Sequence, residues 1–316
     1  MKSISRSRVL ILIACALAET GASAQSGARR PTQTAAPTTA TLRLGIATPN
    51  AGYTVRSIPV EEYVAGVLAG EAARDSSPAA LEALAIAIRT YALANRGRHA
   101  ADGFDVCDLT HCQVFRRATA TTERAATATA TKVLLFNGAP AQIFYSASCG
   151  GHTERPSKVW PGSTDFTYLP SRKDDGCRGE PAWSEDLSAT DLLRALRIGG
   201  FKGDSLRDLR IVGRSDSGRV TTLRLNGLTP NVISGQDLRI IVARTLGPQH
   251  IKSTAFNVSR RGADFHFAGH GSGHGVGLCV IGSVNLAARG WSADRILARY
   301  FPGLTISTPE TQSNAR

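Results

Sequence analysis

The sequence predicts an α+β fold. Hairpin signals recur along it, its helical patterns stand apart from the strands instead of alternating with them, and no internal repeat is present. A doubly wound sheet would need regular strand–helix–strand alternation, so that architecture is set aside. The central feature is a pair of helices carrying a glutamate, packed with several β-hairpins.

Taken in order, residues 41–47 and 53–57 read as strands around a turn at residues 49–52. Residues 60–71 follow as a helix. Val60, Val64, Val67 and Glu71 recur at i, i+4, i+7 and i+11, which places Glu71 at the end of an otherwise apolar stripe. A short break precedes a second helix, with Ser77 as N-cap and Pro78 in its first turn. Leu81, Leu84, Ile88 and Tyr91 form its core stripe, and Gly97 marks a stop. Residues 97–117 are irregular and residues 122–131 are helical. Residues 133–136 and 141–146 read as a hairpin about Asn137-Gly138. A long loop at residues 158–183 leads to a helix at 190–198. A second hairpin pairs 209–213 with 220–225, and Ser234 caps a helix to about residue 246. A third hairpin pairs 255–259 with 263–267. Helices at 278–289 and, capped by Ser292, to Tyr300 complete the pattern.

The N-terminus has the form of a secretion signal. Lys2, Arg6 and Arg8 precede an apolar run, and Ala22-Ser23-Ala24 is a small-x-small cleavage site, giving a leader over residues 1–24. Leu12-Ile13-Ala14-Cys15 offers a competing lipobox, which would make the product a lipoprotein anchored through Cys15. Either route places the product beyond the cytoplasmic membrane, in the periplasm or cell wall. No other stretch approaches the ~20 apolar residues of a membrane span. Residues 25–41 are rich in Ser, Thr, Ala and Pro and read as a disordered linker; residues 304–316 read as a disordered tail. With 42% hydrophobic and 20% charged residues, the 316-residue chain is otherwise ordinary globular material. Its net charge of +12 fits a polyanionic partner. Nucleic acid is not supported, because no RNP, helix-turn-helix or zinc-finger pattern accompanies the charge.

Three groups of residues carry chemistry. A carboxyl on an apolar stripe loses hydration, which favours its protonated form and suits a general acid. The commoner use of such a residue is a solvated ion pair, here with Arg74. His99, Cys107, His111 and Cys112 crowd within 14 positions. Their spacing fits a tetrahedral zinc site and, equally, a Cys107–Cys112 disulfide. Cys149 and Cys177 flank the long loop and suit a disulfide, leaving Cys279 as an odd thiol. Five glycines alternate from Gly269 to Gly277 without satisfying G-x-G-x-x-G, so dinucleotide binding fails on spacing. No G-x-S-x-G elbow or H-E-x-x-H helix is present, and Ser146 and Ser148 lie too near His152 on one loop to form a triad.

Taken together, five segments resemble the stage II sporulation protein D and amidase-enhancer (SpoIID/LytB) family. They are VEEYVAGV from Val60 with Gly70-Glu71; LAIAIRTYA from Leu84; Cys112-Gln113-Val114-Phe115; YSASCGGHT from Tyr145; and Gly273-His274-Gly275-Val276-Gly277. They occur in the family's order and span residues 42–303 as one domain. The resemblance implies a groove for peptidoglycan glycan strands and a lytic transglycosylase in which Glu71 is the single acid and base, leaving 1,6-anhydro ends on denuded strands. It also implies that Tyr145, Ser146, Ser148, Gly151, His152 and His274 line the sugar groove. It shifts the balance at His99, Cys107, His111 and Cys112 towards one structural zinc. Arg89 and Tyr91 match a family motif and would brace the helix behind Glu71. The alternative within the family is a non-catalytic wall-binding module that stimulates a cell-wall amidase. A zinc-dependent hydrolase with an open metal site is the weakest reading. The family commonly continues GHGVGMSQYGA where this chain has GHGVGLCVIGS, which bears on groove specificity more than on fold.

Overall fold

A computed structural model describes residues 40–49, 52–178 and 181–308. The expected leader with its Cys15 alternative, nearly all of the linker, and residues 309–316 lie outside the described residues. The α+β expectation holds: the helices stand among several small, mostly antiparallel sheets.

Strand Thr41–Ala47 pairs antiparallel with Tyr53–Pro59, in register from Thr41 opposite Pro59 to Ala47 opposite Tyr53. Alternation buries Leu42 and Leu44 on one face, opposite Ile58. The short strand Val106–Cys107 adds in parallel beside Leu44 and Gly45. This tethers the irregular segment that holds the Cys/His cluster.

Helix α1 (Val60–Glu71) and helix α2 (Pro78–Ala94) form the centre. Glu61 and Glu62 sit in the first turn of α1, where the helix dipole favours negative charge. Helix α2 is buried almost continuously from Ala80 to Ala92, including Arg89 and Thr90. Arg89 is 1% exposed. Its Nε donates to Glu61 Oε1 at 3.0 Å, Nη1 to the Lys132 carbonyl at 3.0 Å and Nη2 to the Ala126 carbonyl at 3.1 Å. The fork thus ties α2 to α1 and to the end of helix α3 (Ala120–Ala128). Thr90 receives a hydrogen bond from Leu134 N at 2.9 Å and seats the next strand. Ser77 occupies the N-cap with extended backbone, but its hydroxyl caps nothing and is buried without a partner.

Asn137 and Gly138 take positive φ, as a type I′ turn requires, and Val133–Phe136 pairs across them with Ala139–Pro140 alone. The second arm is therefore shorter than residues 141–146 suggested. Ala141 N still bonds the Leu134 carbonyl at 2.9 Å, but Leu134 N turns to Thr90 Oγ1 instead of back across the pair, and the ladder ends there. Tyr145–Ser146 instead pairs in parallel with Leu278–Cys279, which the sequence assigned to the start of a helix. Strand Thr305–Ser307 lies within the segment expected to be disordered; it pairs antiparallel with Val133–Leu135. Its short alternating pattern gave no signal apart from that partner.

Two hydrophobic centres form. The first joins α1, α2 and the helices Val280–Ala288 and Ala293–Tyr300. The second lies among strands Ala182–Ser188, Asp208–Arg214, Val220–Asn226, Phe256–Arg261 and Asp264–His270 and helices Ala189–Ile198 and Gly235–Thr245, around Leu223, Phe265 and Phe267.

Candidate active site

Glu71 is positioned by two glycines one helical turn apart. A Cβ on Gly66 would lie 2.1 Å from the Phe115 ring, and one on Gly70 would lie 2.1 Å from the Val114 carbonyl. Their absence lets residues 113–116 run directly against α1, where Arg116 N donates to Gly66 O at 3.0 Å. The same approach brings Val114 N to Glu71 Oε1 at 2.8 Å. Burial raises the Glu71 carboxyl above its usual 4.5, against the lowering pull of the Val114 amide and Arg116. Oε2 has no hydrogen-bond partner among the described residues.

Gln113 orders the neighbouring phenols. Tyr63 OH donates to Gln113 Oε1 at 2.8 Å, and Gln113 Nε2 donates to Tyr145 OH at 2.9 Å. The amide orientation leaves the Tyr145 O–H proton available to another acceptor. Burial, with Glu71 as the next cause, pushes the Tyr145 phenol well above 10. It is a neutral donor beside the acid. The sequence assigned no role to Tyr63, Gln113 or the Val114 amide; the Gly66/Gly70 spacing was the signal that a chain segment crosses there.

The remaining residues expected to line a groove divide. The glycine run and the loop after Tyr145 meet backbone to backbone, with Ser148 N on Ser272 O at 2.9 Å and Ser272 N on Ser148 O at 3.0 Å. The alternate glycines answer to protein, not ligand: Gly271 packs on Gly150, Gly273 on Ser146, Gly275 on Arg219 and Gly277 on the Phe144 carbonyl. Ser148 is fully buried with its hydroxyl 3.0 Å from Cys177 Sγ, so it supports the loop from beneath. Ser146 is buried and its hydroxyl lacks a protein partner. Gly151 holds positive φ and its carbonyl accepts from Asp174 N. His152 lies with Nε2 3.4 Å from Ser171 Oγ, and burial lowers its pKa. His274 packs 4.9 Å from the Trp160 ring, and Nδ1 accepts from Val276 N at 3.0 Å. Burial, with Arg239 and Arg219 nearby, pushes His274 down to about 3, so it acts as a neutral ring. No hydrogen bond joins Glu71 to Ser146, Gly151, His152 or His274 among the described residues; Tyr145 is linked to it only indirectly, through the Gln113 side chain and the adjoining Val114 amide.

Two other acids are occupied. Asp105 accepts from Arg43 N and Gly97 N. Glu154 is buried and accepts from Arg155 N, Ser215 and Ser217. Buried Arg219 donates to the Cys149 carbonyl at 2.8 Å and so links the second hydrophobic centre to the loop.

His99, Cys107, His111 and Cys112 converge, with their ligand atoms all within 4.8 Å of one another. Cys107 Sγ is 3.1 Å from His111 Nε2, His111 Nε2 is 3.2 Å from His99 Nε2, and Cys112 Sγ is 3.4 Å from His99 Nε2. Tetrahedral zinc with bonds of about 2.0–2.3 Å holds its donors about 3.3–3.8 Å apart, so these three separations lie within about 0.2 Å of that range and the donor types suit such an ion. Asp102 accepts from His99 Nδ1 at 2.9 Å and turns Nε2 towards the other donors. No disulfide joins Cys107 to Cys112 or Cys149 to Cys177, so neither bridge suggested by spacing is formed. Cys279 is not a solitary thiol either: it meets Cys149 and Cys177.

A profile described as "Stage II sporulation protein" matches residues 50–136, which hold Glu71, Gln113 and the His/Cys donors. A domain of unknown function (DUF8618) matches residues 181–277. Stage II sporulation protein D of Bacillus subtilis is 27% identical over 282 residues, 84% of this chain and 79% of that protein. An uncharacterized protein of Brachyspira hyodysenteriae is 29% identical over 257 residues, 80% of this chain and 67% of that protein. The amidase enhancer of Bacillus subtilis is 28% identical over 294 residues, 77% of this chain but 40% of that protein. With this profile match on the helical centre and relatives of both names aligning over most of its length, the chain is similar to proteins of the SpoIID/LytB family.

Proposed function

We propose that this chain is an exported lytic transglycosylase that cleaves peptidoglycan glycan strands, with Glu71 as its single acid and base. The observation that carries the reading is a carboxyl raised by burial, with one oxygen held by Val114 N and a neutral phenol nearby. Protonated Glu71 gives its proton to the oxygen between N-acetylmuramic acid and N-acetylglucosamine as that bond breaks. The resulting carboxylate then takes the proton of the C6 hydroxyl as that oxygen bonds to the anomeric carbon. The product is a 1,6-anhydro end, and no water is consumed. One carboxyl serves both steps, unlike the paired carboxylates of hydrolytic glycosidases. The occupied state of Asp105 and Glu154 agrees with a single acid. Tyr145 is placed to donate to the sugar, and the chain's net charge of +12 favours an anionic wall.

Zinc held by His99, Cys107, His111 and Cys112 would be structural, since four protein donors leave no open position. It would fix the segment that leads directly into Gln113. No helix among the described residues is long and apolar enough to cross a membrane. The test is mass spectrometry of denuded glycan strands incubated with the protein, unsubstituted beside Glu71→Gln. Anhydro-ended fragments from the unsubstituted protein alone are the expected result. Strands bound but uncut by both forms would overturn catalysis and favour a wall-binding partner of an amidase.

A further inference from the structure

The three thiols of Cys149, Cys177 and Cys279 come from separate parts of the chain. Cys149 lies in the loop after Tyr145–Ser146, Cys279 directly follows the glycine run, and Cys177 comes from the long segment that covers both. All three are buried, and their sulfurs lie within 4.8 Å of one another. Nothing in the transglycosylase mechanism uses them.

We propose that Cys149, Cys177 and Cys279 form a second metal site, distinct from the His/Cys group, that takes a thiophilic d10 dication such as zinc and clamps the two groove loops together. The number of sulfurs is the first argument: a disulfide uses two and strands the third against the bridge, whereas a metal uses all three. The second is the setting of Cys279. Its Sγ accepts from Cys149 N and from Gly282 N, each at 3.2 Å, at the first turn of helix Val280–Ala288. Two N–H donors and a helix N-terminus are directed at this one sulfur, as they are at a ligand sulfur. Charge is the third. Binding proceeds as M²⁺ plus three thiols giving a tris-thiolate of net charge −1 and three protons released to solvent. The buried Arg219 guanidinium, bonded to the Cys149 carbonyl, offsets that charge. Two oxygens stand just outside the sulfurs: Asp174 Oδ2 is 3.2 Å from Cys149 Sγ, and Ser148 Oγ is 3.0 Å from Cys177 Sγ. Asp174 is in turn held by Tyr300 OH at 2.9 Å, which orients it as an outer partner of a metal site would be.

The test is zinc content of the full chain, purified reduced and supplied with Zn²⁺ alone, measured by plasma mass spectrometry. Cys107→Ser with Cys112→Ser removes the thiols of the other group. This double variant is expected to retain one equivalent, and adding Cys177→Ser to it is expected to lose that equivalent. Should the added substitution prevent folding, zinc-edge X-ray absorption of the double variant decides alone, with three sulfur neighbours expected at about 2.3 Å. A double variant that takes up no zinc overturns the site. So does a shell with fewer than three sulfurs. A Cys149–Cys177 bridge in protein recovered from an oxidising compartment, with no zinc uptake after reduction, would replace the metal by a disulfide.

Discussion

The helical centre around α1 and α2 and the sheet-rich centre at 182–270 solve the same burial problem differently. In the first, polar groups go inside: Arg89, Thr90, Gln113 and Tyr63 are all buried and hydrogen-bonded. In the second, the interior is chiefly Leu, Ile, Val and Phe, and ion pairs such as Arg194–Asp191 stay on the surface. Buried Arg219 is its main exception, and that residue reaches out to the Cys149 loop. A buried polar network costs desolvation but specifies one geometry. The helical centre therefore has the properties of a site, and the sheet centre those of a support.

The largest expected effect sharpens this contrast. Glu71→Gln should lower glycan cleavage by at least about 10²–10⁴-fold, the usual worth of a general acid, with strand binding kept. It is read by quantifying anhydro ends. Next, Arg89→Met leaves Glu61 and two backbone carbonyls without their partner and should cost ~3–5 kcal/mol in denaturant unfolding. A cost near that of a surface pair would break the comparison. Gln113→Leu leaves Tyr63 and Tyr145 unpaired and should cost ~1–3 kcal/mol, with a greater fall in kcat than rise in KM.

The pH dependence follows from Glu71. Its folded pKa is raised above 4.5, so the folded state holds the proton more tightly than the unfolded one. Its contribution is fully present below 4.5 and is lost as pH rises through the folded value. Cleavage should fall over that same rise, and Glu71→Gln should raise Tm at pH 7 relative to the unsubstituted protein. An unchanged or lower Tm would contradict the burial argument. The smallest effect belongs to the sheet centre: Arg194→Ala should change stability by less than about 1 kcal/mol, because the pair is exposed.

Much of the helical centre was legible in sequence because its signals are local. The apolar stripe of α1 placed Glu71, Pro78 opened α2, and Ser292 caps the last helix as its position indicates; in the sheet centre Ser234 does the same for its helix. Ser77 shows the limit: its position was right, but its hydroxyl was left idle by the packing around it. The sheet partner of Tyr145–Ser146 was not legible, since Leu278–Cys279 lies more than 130 positions away and two residues carry no period. The strand Thr305–Ser307 escaped notice for the same reason.

By itself, the sequence determined most of the helices, where the acid lies on its stripe, and which His and Cys residues crowd together along the chain. Those follow from steric periodicity and short-range spacing. Only the tertiary structure decided that Gly66 and Gly70 exist to admit residues 113–116, that Gln113 orders two phenols, that Ser148 faces a thiol beneath the loop, and that Cys149, Cys177 and Cys279 meet. Each depends on close approach of segments distant in sequence, and such approach is set by packing of the whole core, which no local pattern encodes.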